Sequence, residues 1–241
     1  MRTEIISHPS PNCEDRPSGQ TVDTLIIHYT GMQSYQAALR NMCDPAAKVS
    51  AHYMVGRNGL RYRLVDEERR AWHAGMASWQ GAADINDRSI GIELVNPGHE
   101  WGYIPFPAAQ MASLEALIFD ILERRPIPAE RILGHSDVAP LRKQDPGELF
   151  DWQGLSEIGL GVWPGADTPA DTVPAPDDVG AIQTLLRRFG YACPDTGRLD
   201  DETRAVILAF QRHFQPEATG LPPDPEMCRR LADLAQRFGA P

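Results

Sequence analysis

The stretch SIGIELV, from Ser89 to Val95, has a strong strand pattern within this 241-residue chain. Its alternation places Ile90, Ile92 and Leu94 on one face of a strand. Glu93 then points to the opposite face, among apolar neighbours and glycine. A buried carboxylate is costly unless it is paired or functional, and burial raises its pKa towards the range useful for acid–base chemistry. Glu93 is therefore a candidate general base or one half of a structural ion pair.

Further strand and helix patterns surround this segment. The run TLIIHY is apolar and rich in β-branched residues, which predicts a second buried strand. The other expected elements are strands at Ala51–Val55, Leu60–Val65 and Ile132–Gly134 and a helix that begins at Pro107 and ends before Pro126. The first two of those strands, separated by an Asn-Gly turn, predict a hairpin. We therefore expect an α/β fold with a mixed β-sheet flanked by helices.

A change of composition divides the chain. The segment from Pro164 to Asp178 is rich in Pro, Ala and Asp and lacks apolar periodicity, which predicts an extended linker. Three amphipathic patterns follow it and predict a small domain of three helices. We expect a larger domain over residues 1–163, the linker over 164–178 and the helical domain over 179–241. The linker also predicts that the two domains share no large core.

Composition narrows the classes of function. The formal net charge of −10 argues against a nucleic-acid partner, because phosphate binding requires clustered positive charge. The four cysteines form no CxxC pair and so offer no zinc-ribbon spacing. No stretch approaches the roughly 20 apolar residues of a membrane span, and Met1 to Asp15 lacks the apolar core of a signal peptide. These features predict a cytoplasmic protein, or a periplasmic one if the N-terminus is truncated.

Two histidines stand where apolar strands end, and a rigid sheet presents reactive side chains at such positions. They are His28, in the TLIIHY run, and His135, directly after the last predicted strand. The segment GHSDVAPLRKQDPG around His135 also offers Asp137, Lys143 and Asp145 in a proline-interrupted stretch that we expect to be loop. Two imidazoles and a carboxylate, with a fourth position for water, form a catalytic zinc site. A hydrogen-bonded loop is equally compatible with this spacing.

Five segments resemble the zinc-dependent N-acetylmuramoyl-L-alanine amidases, a family that includes the bacterial AmpD and AmiD types, phage amidases and animal peptidoglycan-recognition proteins. The similarity extends from Val22 to Trp163 and keeps the family's order. The segments are LIIHYT (Leu25–Thr30), SAHYMV (Ser50–Val55), AWHAG (Ala71–Gly75), SIGIELVN (Ser89–Asn96) and GHSDVAPLRKQDPG (Gly134–Gly147). The resemblance implies hydrolysis of the amide bond between an N-acetylmuramoyl group and the L-alanine of the stem peptide.

The resemblance also implies a metal site. One Zn²⁺ per chain would be held by His28, His135 and Asp145, which leaves Asp137 outside the ligand set. An aspartate at the third position, where some phage members use cysteine, is typical of the AmpD and AmiD branch.

Catalytic and substrate-binding roles are implied in the same way. Glu93 matches the general base that acts on the attacking water. Lys143 matches the residue that stabilises the oxyanion of the tetrahedral intermediate. His52 and His73 match positions that line the substrate groove. Trp79 is either a further substrate-binding residue, stacking on sugar or peptide, or a core side chain.

The C-terminal region resembles the three-helix peptidoglycan-binding module through IQTLLRRFGY (Ile182–Tyr191) and TGRLDDETRAVILAFQ (Thr196–Gln211). Peptidoglycan fragments (muropeptides) are thus the implied partners, and the implied role is muropeptide recycling on N-acetylmuramoyl or 1,6-anhydro-N-acetylmuramoyl substrates. The alternatives are an exported wall-remodelling amidase, a non-catalytic peptidoglycan receptor on the same fold, and a zinc peptidase that cuts within the stem peptide. The last would be expected to carry HExxH, which the sequence lacks.

Overall fold

The computed structural model describes residues 5–239, in a sheet with flanking helices and a C-terminal helical domain. Its strands are β1 (Ile5–Ser7), β2 (Cys13–Asp15), β3 (Thr24–Tyr29), β4 (Tyr53–Val55), β5 (Arg61–Arg63), β6 (Arg69–Ala71), β7 (Ser78–Trp79), β8 (Ala82–Ala83), β9 (Ser89–Leu94) and β10 (Ile132–Gly134). Its α-helices are α1 (Tyr35–Cys43), α2 (Ile85–Arg88), α3 (Ala108–Leu122), α4 (His135–Val138), α5 (Trp152–Glu157), α6 (Val179–Phe189), α7 (Asp201–Phe214) and α8 (Pro225–Phe238). Short 3-10 helices span His99–Trp101, Ala129–Arg131, Ala170–Thr172 and Pro216–Ala218. Within the described range no helix is long and apolar enough to cross a membrane.

The main sheet has six strands in the order β1-β5-β4-β9-β3-β10. Only the hairpin pair β4–β5 is antiparallel, and the other four pairs are parallel. Two small antiparallel sheets, β2–β6 and β7–β8, lie outside it. The predicted mixed sheet flanked by helices is confirmed.

One face of the sheet carries the larger apolar core. Ile90, Ile92 and Leu94 of β9 all point to this face, as their alternation predicts, and all are fully buried. They pack with Leu114 and Ile118 of α3 in one cluster that also contains side chains of α5. Full burial of a Leu or Ile side chain contributes about 1.5–3 kcal/mol, so this face fixes the register of the central strands.

The opposite face of the central strands carries Glu93 and His28, together with Ile26. Helix α1 covers the neighbouring part of this face, where Met42 packs on Met54 of β4. Ser34 caps α1, since its hydroxyl accepts a hydrogen bond from the Ala37 backbone N–H at 3.2 Å. The polar residues of the sheet thus lie in a recess bordered by α1.

The three predicted C-terminal helices are confirmed as α6, α7 and α8. Each begins at an aspartate whose carboxylate accepts from a backbone N–H in the first turn. The N-caps are Asp178, Asp200 and Asp224. The apolar faces of the helices bury Phe189 and Phe210.

The sequence-based prediction that the two domains share no large core is wrong. One apolar cluster joins Ile26, Trp79 and Leu133 of the sheet domain to Ile182 and Phe210 of the helical domain. The cause lies on the sheet face that carries Glu93 and His28. This face is apolar at Ile26 and Leu133, and these two side chains would face water without the helices of the C-terminal domain. The linker, which is exposed over residues 169–172, connects two domains that pack on each other.

The segment after β10 also differs from the prediction. We expected a loop directly after Gly134, but His135–Val138 forms the single turn α4. Asp137 Oδ2 accepts from the Gly134 backbone N–H at 2.7 Å, which closes this turn before the first proline at Pro140. The proline restricts only the residues around it, so the loop starts four residues later than expected.

Candidate active site

The three predicted metal ligands converge at one point. Gly134 of β10 pairs with Ile27 of β3, so the residues that follow them, His135 at the start of α4 and His28 on β3, are neighbours. Their Nδ1 atoms lie 2.9 Å apart. Asp145 Oδ2 lies 2.9 Å from His28 Nδ1 and 3.0 Å from His135 Nδ1. All three residues are buried, and they form a group that could hold a metal ion.

The charges of these residues suit a divalent cation. Burial and the neighbouring His135 lower the pKa of His28 to about 4, so its imidazole is neutral at pH 7. Burial alone would raise the pKa of Asp145, but hydrogen bonds and charge from His135 and His28 hold it well below its usual range. Around a tetrahedral zinc with bonds of about 2.0–2.1 Å, ligand atoms stand about 3.3 Å apart. The observed triangle of donors is close to that spacing, so the residues fit such an ion.

Neighbouring groups orient the two imidazoles. His28 Nε2 lies 3.0 Å from His73 Nδ1, and His135 Nε2 lies 3.1 Å from the Ala74 carbonyl. The His73 ring rests directly on Gly91, where a Cβ atom would approach its Cγ to 2.5 Å. Burial and the nearby His28 hold the pKa of His73 well below its ordinary value. Such partners fix the tautomer and the ring plane of a metal-binding histidine.

Glu93 stands beside the donors because β9 pairs with β3 in a register that places Glu93 opposite His28. Its Oε2 is buried and has no hydrogen-bond partner among residues 5–239. Burial and the charge of Asp145 raise the pKa of Glu93 well above its usual value, while Lys143 opposes this rise. The structural ion pair considered from the sequence is not formed within the described part of the chain, and the Glu93 side chain lines a pocket where a proton-bearing ligand could sit.

One pocket joins these groups. It is lined by the three donors together with Glu93, His73 and Lys143, and by residues of β3 and α1. Lys143 is an exposed residue at the edge of this pocket. The arrangement places a glutamate carboxylate, a lysine side chain and three possible metal ligands around one pocket.

Two predicted groove residues lie elsewhere. His52 is fully buried, with its Nδ1 accepting from the Gly91 backbone N–H at 3.0 Å, and does not line the pocket. Trp79 is 3% exposed and packs edge-on against Phe189 and Tyr191 of the helical domain. Both assignments to the groove are corrected: His52 supports β9, and Trp79 is a core side chain at the domain interface.

The pocket also contains residues that sequence reasoning missed. Tyr29 lines it and its hydroxyl lies 2.9 Å from His99 Nδ1, while His99 Nε2 lies 3.2 Å from the carboxylate of Glu148. The position of Tyr29, directly after His28 at a strand end, was a usable signal. Asn41 and Met42 come from α1, whose short apolar pattern gave no prediction.

Two imidazoles and a carboxylate at one end of a sheet, beside a partly buried glutamate, form the arrangement of a metal-assisted hydrolase. Residues 18–148 match the family of N-acetylmuramoyl-L-alanine amidases, and the chain belongs to this family. Residues 175–227 match a family of peptidoglycan binding domains.

Individual relatives agree with this assignment. The N-acetylmuramoyl-L-alanine amidase AmiD of Escherichia coli K12 is 39% identical over 237 residues, covering 90% of this chain and 84% of the relative. The 1,6-anhydro-N-acetylmuramyl-L-alanine amidase AmpD of Haemophilus influenzae is 36% identical over 171 residues, covering 64% of this chain and 91% of the relative. The structure of E. coli AmiD with the substrate anhydro-N-acetylmuramic acid-L-Ala-D-γ-Glu-L-Lys has a TM-score of 0.80 at 34% identity and covers 93% of both chains.

Proposed function

We propose that this protein is a zinc-dependent amidase that cleaves the bond between the muramoyl lactyl group and L-alanine in muropeptides, including those with 1,6-anhydro ends. The observation that carries this proposal is the convergence of His28, His135 and Asp145 within about one ligand spacing, beside the unpartnered carboxylate of Glu93. Membership of the amidase family supports the reaction. The anhydromuramyl substrate follows the AmiD and AmpD relatives.

The roles of the side chains follow from their positions. Zinc, held by His28, His135 and Asp145, would supply Lewis acidity and lower the pKa of water. Glu93 takes a proton from the attacking water while the water oxygen bonds to the lactyl carbonyl carbon. Glu93 then passes that proton to the L-alanine nitrogen as the bond between this nitrogen and the carbonyl carbon breaks. Lys143 lies at the pocket edge, where its charge stabilises the negative oxygen that develops on the carbonyl. The products are a free lactyl carboxylic acid and an intact peptide with a free amino terminus.

We assign residues 1–163 to the amidase domain, 164–178 to the linker and 179–241 to the peptidoglycan-binding domain, supported by the two family matches.

The recycling role depends on the compartment in which the enzyme meets its substrate. A recycling enzyme would act on soluble fragments in the cytoplasm, whereas the match to a wall-binding family favours the second candidate, action on the intact wall. A C-terminal reporter fusion separates the two: recovery in the cytoplasmic fraction supports recycling, and recovery in a periplasmic extract supports wall remodelling.

The reaction is tested by digesting defined muropeptides with anhydro and reducing ends and measuring product masses. We expect a complete stem peptide that begins with L-alanine, whereas a stem-peptide cut would identify a peptidase. Zinc analysis is expected to give one ion per chain for the parent. His135→Ala should lose zinc and activity, while His8→Ala, which changes an exposed histidine, should retain both. A parent without zinc, or a His135→Ala variant with full zinc and activity, would contradict the proposal.

A further inference from the structure

The helical domain contacts the segment that carries two of the three proposed zinc ligands. Asp137, two residues after His135, is fully buried and receives three hydrogen bonds. The Tyr191 hydroxyl donates to its Oδ1 at 2.6 Å, and His213 Nδ1 lies 2.7 Å from its Oδ2. The third donor is the Gly134 backbone N–H. Two of the three donors thus come from α7 and from the residues after α6, outside the amidase domain.

The same helix reaches the other end of this segment. Arg212, next to His213 on α7, donates to the Gln144 side-chain oxygen at 3.3 Å, one residue before Asp145. Its Nε also lies 3.8 Å from Glu148 Oε2. The two ends are joined, since the Ser136 backbone N–H donates to the Asp145 carbonyl at 2.9 Å.

Packing restricts these contacts to one arrangement. The His213 ring stacks on Trp152 with centroids 3.8 Å apart and planes at 18°. Tyr191 is buried against Trp79 of the sheet domain. Burial and the charge of Asp137 raise the pKa of Tyr191 well above its usual value, so its hydroxyl keeps the proton it donates.

We infer that Tyr191 and His213 are positioning residues for the metal site: they hold the Asp137 carboxylate, which fixes the turn α4 and with it the ring of His135. The helical domain would then complete the catalytic centre in addition to any contact with the wall. A carboxylate with two donors removed would be left buried and under-bonded, which is costly enough to displace the turn. Neither residue lines the pocket.

The experiment uses the full chain and measures zinc affinity by chelator competition, with kcat and KM on a small soluble muropeptide. Tyr191→Phe keeps the ring and removes one hydrogen bond to Asp137. Loss of a group that bonds a metal ligand directly commonly weakens metal binding by about 10–100-fold. Tyr191 acts one step further out, through Asp137 and the turn α4, so we expect a loss at the low end of that range, with a lower kcat and an unchanged KM. The matched control is Thr203→Val, which removes a buried 2.7 Å hydrogen bond to Gln183 inside the helical domain. The control should lower the unfolding temperature without changing zinc affinity.

A double-mutant cycle with Asp137→Asn tests the route of the effect. If Tyr191 acts through Asp137, Tyr191→Phe should add little to the loss of zinc affinity in the Asp137→Asn background. Full additivity overturns this role, as does parent-like zinc affinity in Tyr191→Phe or an equal loss in Thr203→Val. If Asp137→Asn does not fold, the comparison of Tyr191→Phe with Thr203→Val decides alone. Because this role presupposes the proposed zinc amidase, the parent is measured first: a parent that binds no zinc contradicts that function itself.

Discussion

At the scale of single residues, Glu93 lies partly buried beside the donors, and no described residue donates a hydrogen bond to its Oε2. We predict that Glu93→Gln keeps the fold and the metal but loses turnover by about 10²–10⁴-fold, because an amide cannot accept a proton from water. Zinc content, unfolding temperature and kcat measured on one preparation check this. A rate within a few-fold of the parent would assign Glu93 a structural role.

His52 supplies a pH-dependent prediction away from the pocket. Burial and the charge of Arg16 lower its pKa from 6.5 to about 3. The unfolded chain therefore takes up a proton below pH 6.5 that the folded chain refuses until about pH 3, so His52 reduces stability as the pH falls through this range. In metal-free protein, His52→Asn should reduce the slope of the free energy of unfolding against pH, by an amount that corresponds to at most one bound proton. Urea titrations from pH 7 to 4 measure this, and an unchanged slope would contradict it.

At the scale of elements, local patterns predicted five of the six strands of the main sheet and missed β1, the four short strands outside that sheet and the turn α4. The bounds of β3 match the predicted run, and β9 ends one residue earlier than expected. Both are buried strands whose side chains are set by alternation alone. Helix α4 was missed because its turn depends on a hydrogen bond from Gly134 to Asp137. Parallel pairing of β3 with β10 brings His28 and His135 together. The sequence did not predict this pairing, and the ligand set came from the family resemblance.

Gly91 of strand β9 lies against the His73 ring, so a substitution there tests how that ring is held. A methyl group at Gly91 would meet the His73 ring, which contacts His28 at 3.0 Å. Gly91→Ala should therefore displace His73, weaken zinc binding and lower activity. The matched control is Gly180→Ala in α6, where the nearest atom to the new methyl group is 3.8 Å away and alanine favours the helix by up to about 1 kcal/mol. Zinc titration of both variants checks this, and equal affinities would show that His73 does not hold the ligand.

At the scale of the whole molecule, the contact between the domains was beyond sequence reasoning. The sequence left Trp79 open between substrate binding and the core. The pattern around Phe189 predicts a buried helical face but does not say what buries it. The two meet edge-on at a centroid distance of 5.5 Å, across 110 residues of chain. Linker composition indicated separable domains because it reports only on the connecting segment. The buried cluster shared by both domains is a property of the assembled chain.

This packing predicts one result when the helical domain is removed and another when only the linker is cut. A chain ending at Trp163 would expose Trp79, Ile26 and Leu133 and leave Asp137 without two of its donors. Because exposed apolar patches promote aggregation, we expect the shortened chain to aggregate or to unfold at a much lower temperature, with weakened zinc binding.

A cut in the exposed segment 169–172 should instead leave both pieces associated, with zinc and activity on small muropeptides retained. A protease site inserted there allows both states to be measured on one preparation by size-exclusion chromatography, zinc analysis and turnover. The same protein without protease treatment is the control for the inserted site. Separation of the pieces after cutting, or a shortened chain with the parent's stability and rate, would show that the shared core contributes little to the amidase domain.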